Sequence, residues 1–260
     1  MTQKDRPIGF FDSGVGGISV LKQALKVLDG ENYIYLGDNL HVPYGNKTED
    51  EIRRLSMQCG DFLYQKGVKA IVVACNTATS IGVQTMREKY CIPVVSIEPA
   101  VKPAIEADRC GKILVMATPA TISQRRYNAL LDRVGHKERV INLPCEGLAQ
   151  DIEQYALDGP EITDYLEEKF APFAKMTVAG IVLGCTHYSF IEKTIRRVAG
   201  RILPSEFEIY DGRYGTVRQL KRVLAERGLL REKRESSVEF YATGDQQEIE
   251  TFQKFLLLEE

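Results

Sequence analysis

The chain has 260 residues, a formal net charge of -2, 44% hydrophobic and 27% charged residues, the balance of an ordinary globular protein and not of a disordered or fibrous one. Lysine and arginine alternate with glutamate and aspartate instead of gathering into a basic stripe, which excludes an electrostatic nucleic-acid footprint. No stretch approaches the ~20 apolar residues of a membrane span, and the opening MTQKDRPIGFF lacks an apolar signal core, so a cytoplasmic protein with no membrane partner is expected.

Short apolar runs bounded by turns alternate with longer helical patterns along the chain. The reading is strand 7–12, helix 16–28, strand 33–38, helix 48–65, strand 70–75, helix 77–90 and strand 94–97. It continues with strand 112–118, helix 121–134, strand 140–143, helix 148–157, strand 180–185, helix 187–198, strand 208–211 and helix 214–226. Thr48 and Glu51 form a capping box at the start of the second helix. Such alternation predicts an α/β protein with buried parallel strands.

One internal similarity stands out: Ala70-Ile-Val-Val-Ala-Cys75-Asn-Thr77 against Gly180-Ile-Val-Leu-Gly-Cys185-Thr-His187. Both are apolar strands that end in cysteine, at the strand end beyond which open α/β sheets place their ligands. A single cysteine there is usually a small core hydrophobe. Two in matching contexts, each followed by hydroxyl, amide or imidazole side chains, point to chemistry instead. The compartment is reducing, so all six cysteines are expected as free thiols, with Cys59, Cys91, Cys110 and Cys145 as packing residues. Without a Cys-x-x-Cys or His-Glu-x-x-His motif, and with His41, His136 and His187 far apart, no metal is expected.

The first strand delivers Phe11-Asp-Ser-Gly-Val-Gly-Gly17 into a helix. This turn is either an anion cradle of backbone N–H groups or a tight connection whose glycines permit positive φ. Neither nucleotide fingerprint fits, because Ser19 stands where a dinucleotide motif needs glycine and Gly45-Asn-Lys-Thr48 has the wrong order for a P-loop. Asp12 ends a buried strand and needs a cleft or partners to solvate it. Asn76, Thr77, Thr186 and His187 neighbour the thiols and decide, with Asp12, whether each sulfur is acid or base; Asn76 and Thr186 also read as helix caps.

Together, Phe11–Gly17, Pro43-Tyr-Gly45, Ala74-Cys-Asn-Thr-Ala78, Gly184-Cys-Thr-His-Tyr188 and the tail Phe240-Tyr-Ala-Thr-Gly244 resemble the signature of bacterial glutamate racemases, over nearly the whole chain. The resemblance implies two pseudo-symmetric α/β domains with parallel-type sheets and an active site in the interdomain cleft, residues 1–98 with 208–260 forming the first and 99–207 the second. It implies an isomerase that interconverts L- and D-glutamate without pyridoxal phosphate or any other cofactor, supplying D-glutamate for peptidoglycan. Cys75 and Cys185 would be the two acid/base thiols, working on the D- and L-enantiomer respectively. Asp12 would assist Cys75, and His187 and Glu153 would assist Cys185. Ser13, Tyr44, Gly45, Asn76, Thr77, Thr118, Thr121 and Thr186, with Asp12 and His187, would hold the substrate. A homodimer is expected. Ser189 departs from the proline of many relatives, and Leu148–Glu153 matches only loosely. The alternative is a racemase for aspartate or another amino acid; the Thr186-His187 pair resembles the glutamate type, the aspartate type carrying Thr-Glu there.

Overall fold

A computed structural model describes residues 2–232 and 235–258, in two compact units: Met1–Ile97 with Arg213–Glu260, and Glu98–Gly212. In chain order the first unit contains β1 (Ile8–Asp12), α1 (Ile18–Val27), β2 (Tyr33–Gly37), α2 (Glu49–Gln65), β3 (Ala70–Val73), α3 (Asn76–Lys89) and β4 (Val94–Ser96). The second unit contains α4 (Val101–Glu106), β5 (Lys112–Ala117), α5 (Pro119–Ser123), α6 (Arg125–Val134), β6 (Val140–Pro144), α7 (Leu148–Glu153), α8 (Pro160–Phe170), β7 (Val178–Leu183), α9 (Glu192–Ile202) and β8 (Glu208–Asp211). The chain then returns to the first unit through α10 (Gly212–Glu226), β9 (Val238–Ala242) and α11 (Gln246–Leu257).

Both sheets are parallel, in the orders β4-β3-β1-β2-β9 and β6-β5-β7-β8. Numbered within each unit, the first four strands of the first sheet and the four of the second have the same order, 4-3-1-2. The order reverses between the first and third strands of each, the topological switch point beyond which α/β proteins place ligands. Cys75 follows the third strand of one sheet and Cys185 the third strand of the other.

Parallel strands covered on both faces read as continuous apolar runs, and β1, β2, β3 and β7 are buried at every position. Phe11 points into a cluster with Leu55 and Leu63 of α2 and Ala78 and Ile81 of α3. Its neighbour Phe10 points the other way, edge-on to Tyr33, whose hydroxyl donates to the Ala24 and Leu28 carbonyls at the end of α1. In the second unit Ile113, Val115 and Ala117 of β5 pack with Val101, Ala104 and Ile105 of α4 and Tyr127 and Leu131 of α6. Each fully buried Leu, Ile, Val or Phe side chain among these contributes about 1.5–3 kcal/mol by leaving water.

Lys69, wholly buried, ties the first unit's segments together by donating to the Lys4 carbonyl at 2.7 Å and the Leu229 carbonyl at 2.9 Å while pairing with Glu31. Burial presses its ammonium toward the neutral form and Glu31 opposes that shift.

Several elements differ from the sequence reading. Helix 121–134 is two helices, because Gln124 is extended at ψ 140°. Helix 187–198 is a 3-10 segment, Thr186–Ile191, followed by α9. Strand β8 hydrogen bonds to β7, so the return to the first unit comes at Arg213 where the family pattern suggests 208. The capping box forms, with the Glu51 N–H donating to the Thr48 hydroxyl and the Glu51 carboxylate accepting from the Thr48 N–H.

Candidate active site

In the first unit, Asp12 ends β1 fully buried, and its Oδ1 accepts from the Gly14 N–H at 2.9 Å and from the Ser13 hydroxyl at 3.5 Å. The Ser13 Oγ lies 3.7 Å from the Cys75 Sγ, so acid, hydroxyl and thiol form a chain across the switch point. Cys75 is the N-cap of α3: its sulfur accepts the Ala78 N–H at 3.4 Å, and the helix N-terminus turns its partial positive charge toward that sulfur. The glycine-rich turn is a close approach and not a positive-φ turn, since Gly14, Gly16 and Gly17 are absent from the positive-φ glycines. A Cβ on Gly17 would stand 2.7 Å from the Asp12 Cβ and 2.9 Å from both the Ala74 Cβ and the Tyr35 hydroxyl.

Asn76 and Thr77 open α3, both buried. The side-chain amide of Asn76 has no hydrogen-bond partner at either its oxygen or its nitrogen. An unsatisfied buried polar group costs about 1–3 kcal/mol, so two such atoms beside a thiol mark a place built for a polar ligand. Tyr44 and Gly45 lie in a 3-10 turn, Tyr44–Asn46, that follows the cis Val42–Pro43 bond. The Tyr44 ring shares the apolar cluster of Cys75, while its hydroxyl donates to Asp38 at 2.6 Å. Burial, then the neighbouring Cys59 and Asp38, push that phenol far above its ordinary range. Tyr44 therefore anchors the turn through its ring and hydroxyl.

The sequence reading does not find Asp38. This buried carboxylate receives the Tyr44 hydroxyl, the Thr243 hydroxyl at 2.7 Å and the His41 Nδ1 at 2.8 Å, and its own N–H donates to the Asp12 carbonyl at 3.0 Å. The available signal is an acid directly after a buried strand, the one that singled out Asp12.

In the second unit, the Cys185 Sγ lies 3.5 Å from the His187 Nδ1, and the His187 Nε2 lies 2.5 Å from the Glu153 Oε1. All three are buried or nearly so, with His187 and Glu153 side chains 4% and 10% exposed. Burial by itself disfavours the imidazolium, but the Cys185 charge and hydrogen bond, with Glu153 behind, hold His187 well above the ordinary imidazole range. Glu153 ends α7, which packs on the 3-10 segment carrying Thr186 and His187. Gly184 is required before the thiol: a Cβ there would meet the Met116 carbonyl at 2.7 Å and the Ala117 Cβ at 2.8 Å. Thr118 caps α5 from the end of β5, accepting the Thr121 N–H at 3.2 Å with the two hydroxyls 3.0 Å apart. Thr186 is buried next to Cys185. Ser189 donates to Asp211 at 2.6 Å, a use for the hydroxyl that proline lacks.

No cysteine is in a disulfide, but Cys91 and Cys110 are exposed and are not packing residues, whereas Cys59 and Cys145 are buried. Cys91 follows the C-cap of α3, and Cys110 lies in the loop before β5, where nothing covers them.

Two thiols, each closing the third strand of a like-ordered sheet, one backed by hydroxyl and carboxylate and the other by imidazole and carboxylate, can each accept or deliver one proton. The sequence model of the Asp/Glu/hydantoin racemase family matches residues 13–212. A glutamate racemase of Clostridium botulinum (strain Okra / Type B1) is 48% identical over 232 residues, 89% of each chain. One of Clostridium perfringens (strain ATCC 13124) is 45% identical over 256 residues, 98% of this chain and 97% of the relative. The crystal structure of the Francisella tularensis glutamate racemase in complex with D-glutamate superposes with a TM-score of 0.85 at 29% identity, covering 98% of this chain and 95% of that one. By these likenesses along nearly its whole length, the chain belongs to the Asp/Glu/hydantoin racemase family, among its glutamate racemases.

Proposed function

We propose that the chain interconverts L- and D-glutamate with Cys75 and Cys185 as two one-proton acid/base groups, needing neither pyridoxal phosphate nor a metal. The observation that supports this most is the equivalent placement of the two thiols at the ends of like-ordered strands, each inside its own relay of polar groups. From L-glutamate, the Cys185 thiolate takes the α-proton and becomes a thiol, and the Cys75 thiol gives its proton to the opposite face of Cα and becomes a thiolate. From D-glutamate the roles exchange.

The α-proton is a far weaker acid than a thiol, so the carbanion needs strong preorganised electrostatics. Ser13, the Tyr44–Gly45 turn, Asn76, Thr77, Thr118, Thr121 and Thr186 hold the substrate carboxylates and ammonium in this reading, supported at Asn76 by its partnerless buried amide. Asp12 acts on Cys75 through Ser13. The charged His187 provides the counter-ion for a thiolate at Cys185 while Glu153 fixes the ring. As part of the same reading, the resemblance supports a cytoplasmic homodimer that supplies D-glutamate for peptidoglycan. Among the described residues no helix is long and apolar enough to cross a membrane.

The test is circular dichroism of L-glutamate, L-aspartate and L-alanine incubated separately with purified protein, dialysed against chelator and free of pyridoxal phosphate. Decay of the glutamate signal to zero is expected, with product carrying solvent deuterium at Cα from the first turnover in heavy water while recovered substrate gains little. Activity restored only by a metal, or equal early exchange into both enantiomers, would overturn the two-thiol assignment.

A further inference from the structure

The first unit has a half-open cavity of about 250 Å³ that the proposed chemistry leaves unused. Leu36, Leu55, Cys59, Phe62, Tyr241 and Ala242 give it apolar walls, and Asp38, His41, Gln58 and Thr243 its polar part. It lies on the α2 side of the β2–β9 pair, beyond the end of β2.

The walls define the occupant. Phe62 and Tyr241 meet edge-to-face at 5.1 Å, and Lys66 locks them, its ammonium 4.2 Å from the Tyr241 ring centre and 2.9 Å from the Tyr241 hydroxyl. This aromatic wall is preformed. Burial holds the Cys59 thiol far toward its neutral form, and Asp38 already receives three donors, so no unpaired charge calls for an ion. Two hydrogen-bonding positions are open. Gln58 uses its side-chain oxygen toward Arg54, leaving the amide nitrogen to donate; His41 uses Nδ1 toward Asp38, leaving Nε2 as acceptor in the neutral ring. The volume exceeds the ~150 Å³ that admits benzene and falls short of the ~300 Å³ at which drug-sized sites begin.

We propose that this cavity is a binding site for a small, neutral, planar aromatic molecule carrying a donor and an acceptor on one edge, and that its occupancy is transmitted to the substrate-holding turn at Pro43–Gly45. The transmission runs through Asp38: His41, Thr243 and Asp38 line the cavity, and the same carboxylate holds Tyr44. The Leu40 N–H donates to the Thr243 hydroxyl at 3.2 Å, and the Thr243 N–H to the Gly37 carbonyl at 3.1 Å, so a ligand that displaces Thr243 moves the Gly37–Leu40 segment that leads into the turn. This gives the Phe240–Gly244 motif a role that the proton chemistry does not.

The coupling rests on the proposed function; the binding does not. Benzimidazole, a fused bicycle with one N–H and one bare ring nitrogen, is the probe, titrated into the full-length protein with amide NMR shifts as readout. Saturable shifts at Leu36, Gln58 and Thr243 are expected, with a Kd on the order of 0.1–1 mM for so small a ligand. Gln58 is solvent-exposed at the cavity mouth, so Gln58→Trp keeps the fold while the indole closes the entrance and weakens binding more than tenfold; Gln58→Ala, which only removes the donor, weakens it less. Saturating benzimidazole changes KM for L-glutamate at least twofold with a smaller change in kcat. Absence of saturable shifts, or equal affinity in Gln58→Trp, overturns the site, and an unchanged KM at saturation overturns the coupling. A protein that binds the probe but racemises nothing counts against the proposed function alone.

Discussion

Glu153→Gln isolates the proton relay behind Cys185. The carboxylate sits 2.5 Å from His187, both side chains at most 10% exposed, so the interaction has little solvent to screen it. Glutamine keeps an oxygen at the same place and removes only the charge. The loss is therefore smaller than the roughly 3–5 kcal/mol of an orphaned buried charge, and close to the ~1.5–3 kcal/mol of a charge-assisted hydrogen bond. At 1.36 kcal/mol per decade this is an about 10- to 150-fold fall in kcat/KM. Enantiomers have equal free energies, so the equilibrium constant is one and kcat/KM must fall equally in both directions. The asymmetry appears in the primary isotope effect. With Cα-deuterated L-glutamate, whose deuterium goes to Cys185, the effect on kcat/KM rises; with deuterated D-glutamate, whose deuterium goes to Cys75, it falls. Stability follows the same relay. His187 is held above its ordinary range, so its contribution is complete below about pH 6.5 and is lost as pH rises through the folded value. In the variant that loss begins at lower pH. A kcat/KM within twofold of wild type, or isotope effects that move together for both enantiomers, would refute the assignment of Glu153 and His187 to the Cys185 side.

Gly184→Ala forces a methyl to within 2.8 Å of the Met116 carbonyl and Ala117, which costs about 1–3 kcal/mol and displaces the adjacent Cys185; a lower urea midpoint and at least a tenfold loss of racemisation are expected. Asn76→Ala removes an amide with no internal partner, so the urea midpoint is expected to hold or rise while KM for glutamate increases tenfold or more; a stability loss above about 1 kcal/mol would mean that the amide is structural. Thr48→Ala removes a cap worth about 1 kcal/mol and leaves racemisation unchanged. Because hydrogen bonds from Thr48 hold the Glu51 carboxyl below its ordinary range, the wild-type advantage over Thr48→Ala is present at neutral pH and shrinks as pH falls through the folded Glu51 value.

The eight strands read from the sequence are all present, and those buried on both faces are apolar throughout, as Ile8–Phe11 and Val178–Leu183 are. β9 escapes that reading. It is an edge strand, half-exposed, so Val238-Glu-Phe-Tyr-Ala mixes polar and apolar residues and shows only as a motif. The break at Gln124 carries no proline or glycine, and its only trace is the gap of five residues from Ile122 to Tyr127 where a continuous apolar stripe has three or four. Pro160 after Gly159 is a legible start for α8, a helix that is missing from the sequence reading. At the site, Cys75 and Cys185 are legible from local context alone. Glu153 has only loose sequence support, because its contact with His187 spans 34 residues. Asp38 is harder still: its bond to Thr243 joins residues 205 apart, a pairing visible only once β9 lies beside β2.

That pairing also sets an order on biosynthesis. The second unit is one unbroken stretch, complete once Gly212 has been made, whereas the first unit's sheet lacks its edge strand until Ala242 follows. Until then β2 presents a bare hydrogen-bonding edge, Lys69 lacks its Leu229 acceptor, and Asp38 lacks the Thr243 hydroxyl. An incomplete chain emerging from the ribosome thus carries one finished unit and one with an open, apolar sheet edge of the kind that recruits other strands. From the end of β4 to the completion of β9, while residues 97 to 242 are being made, the first unit keeps that edge unpaired.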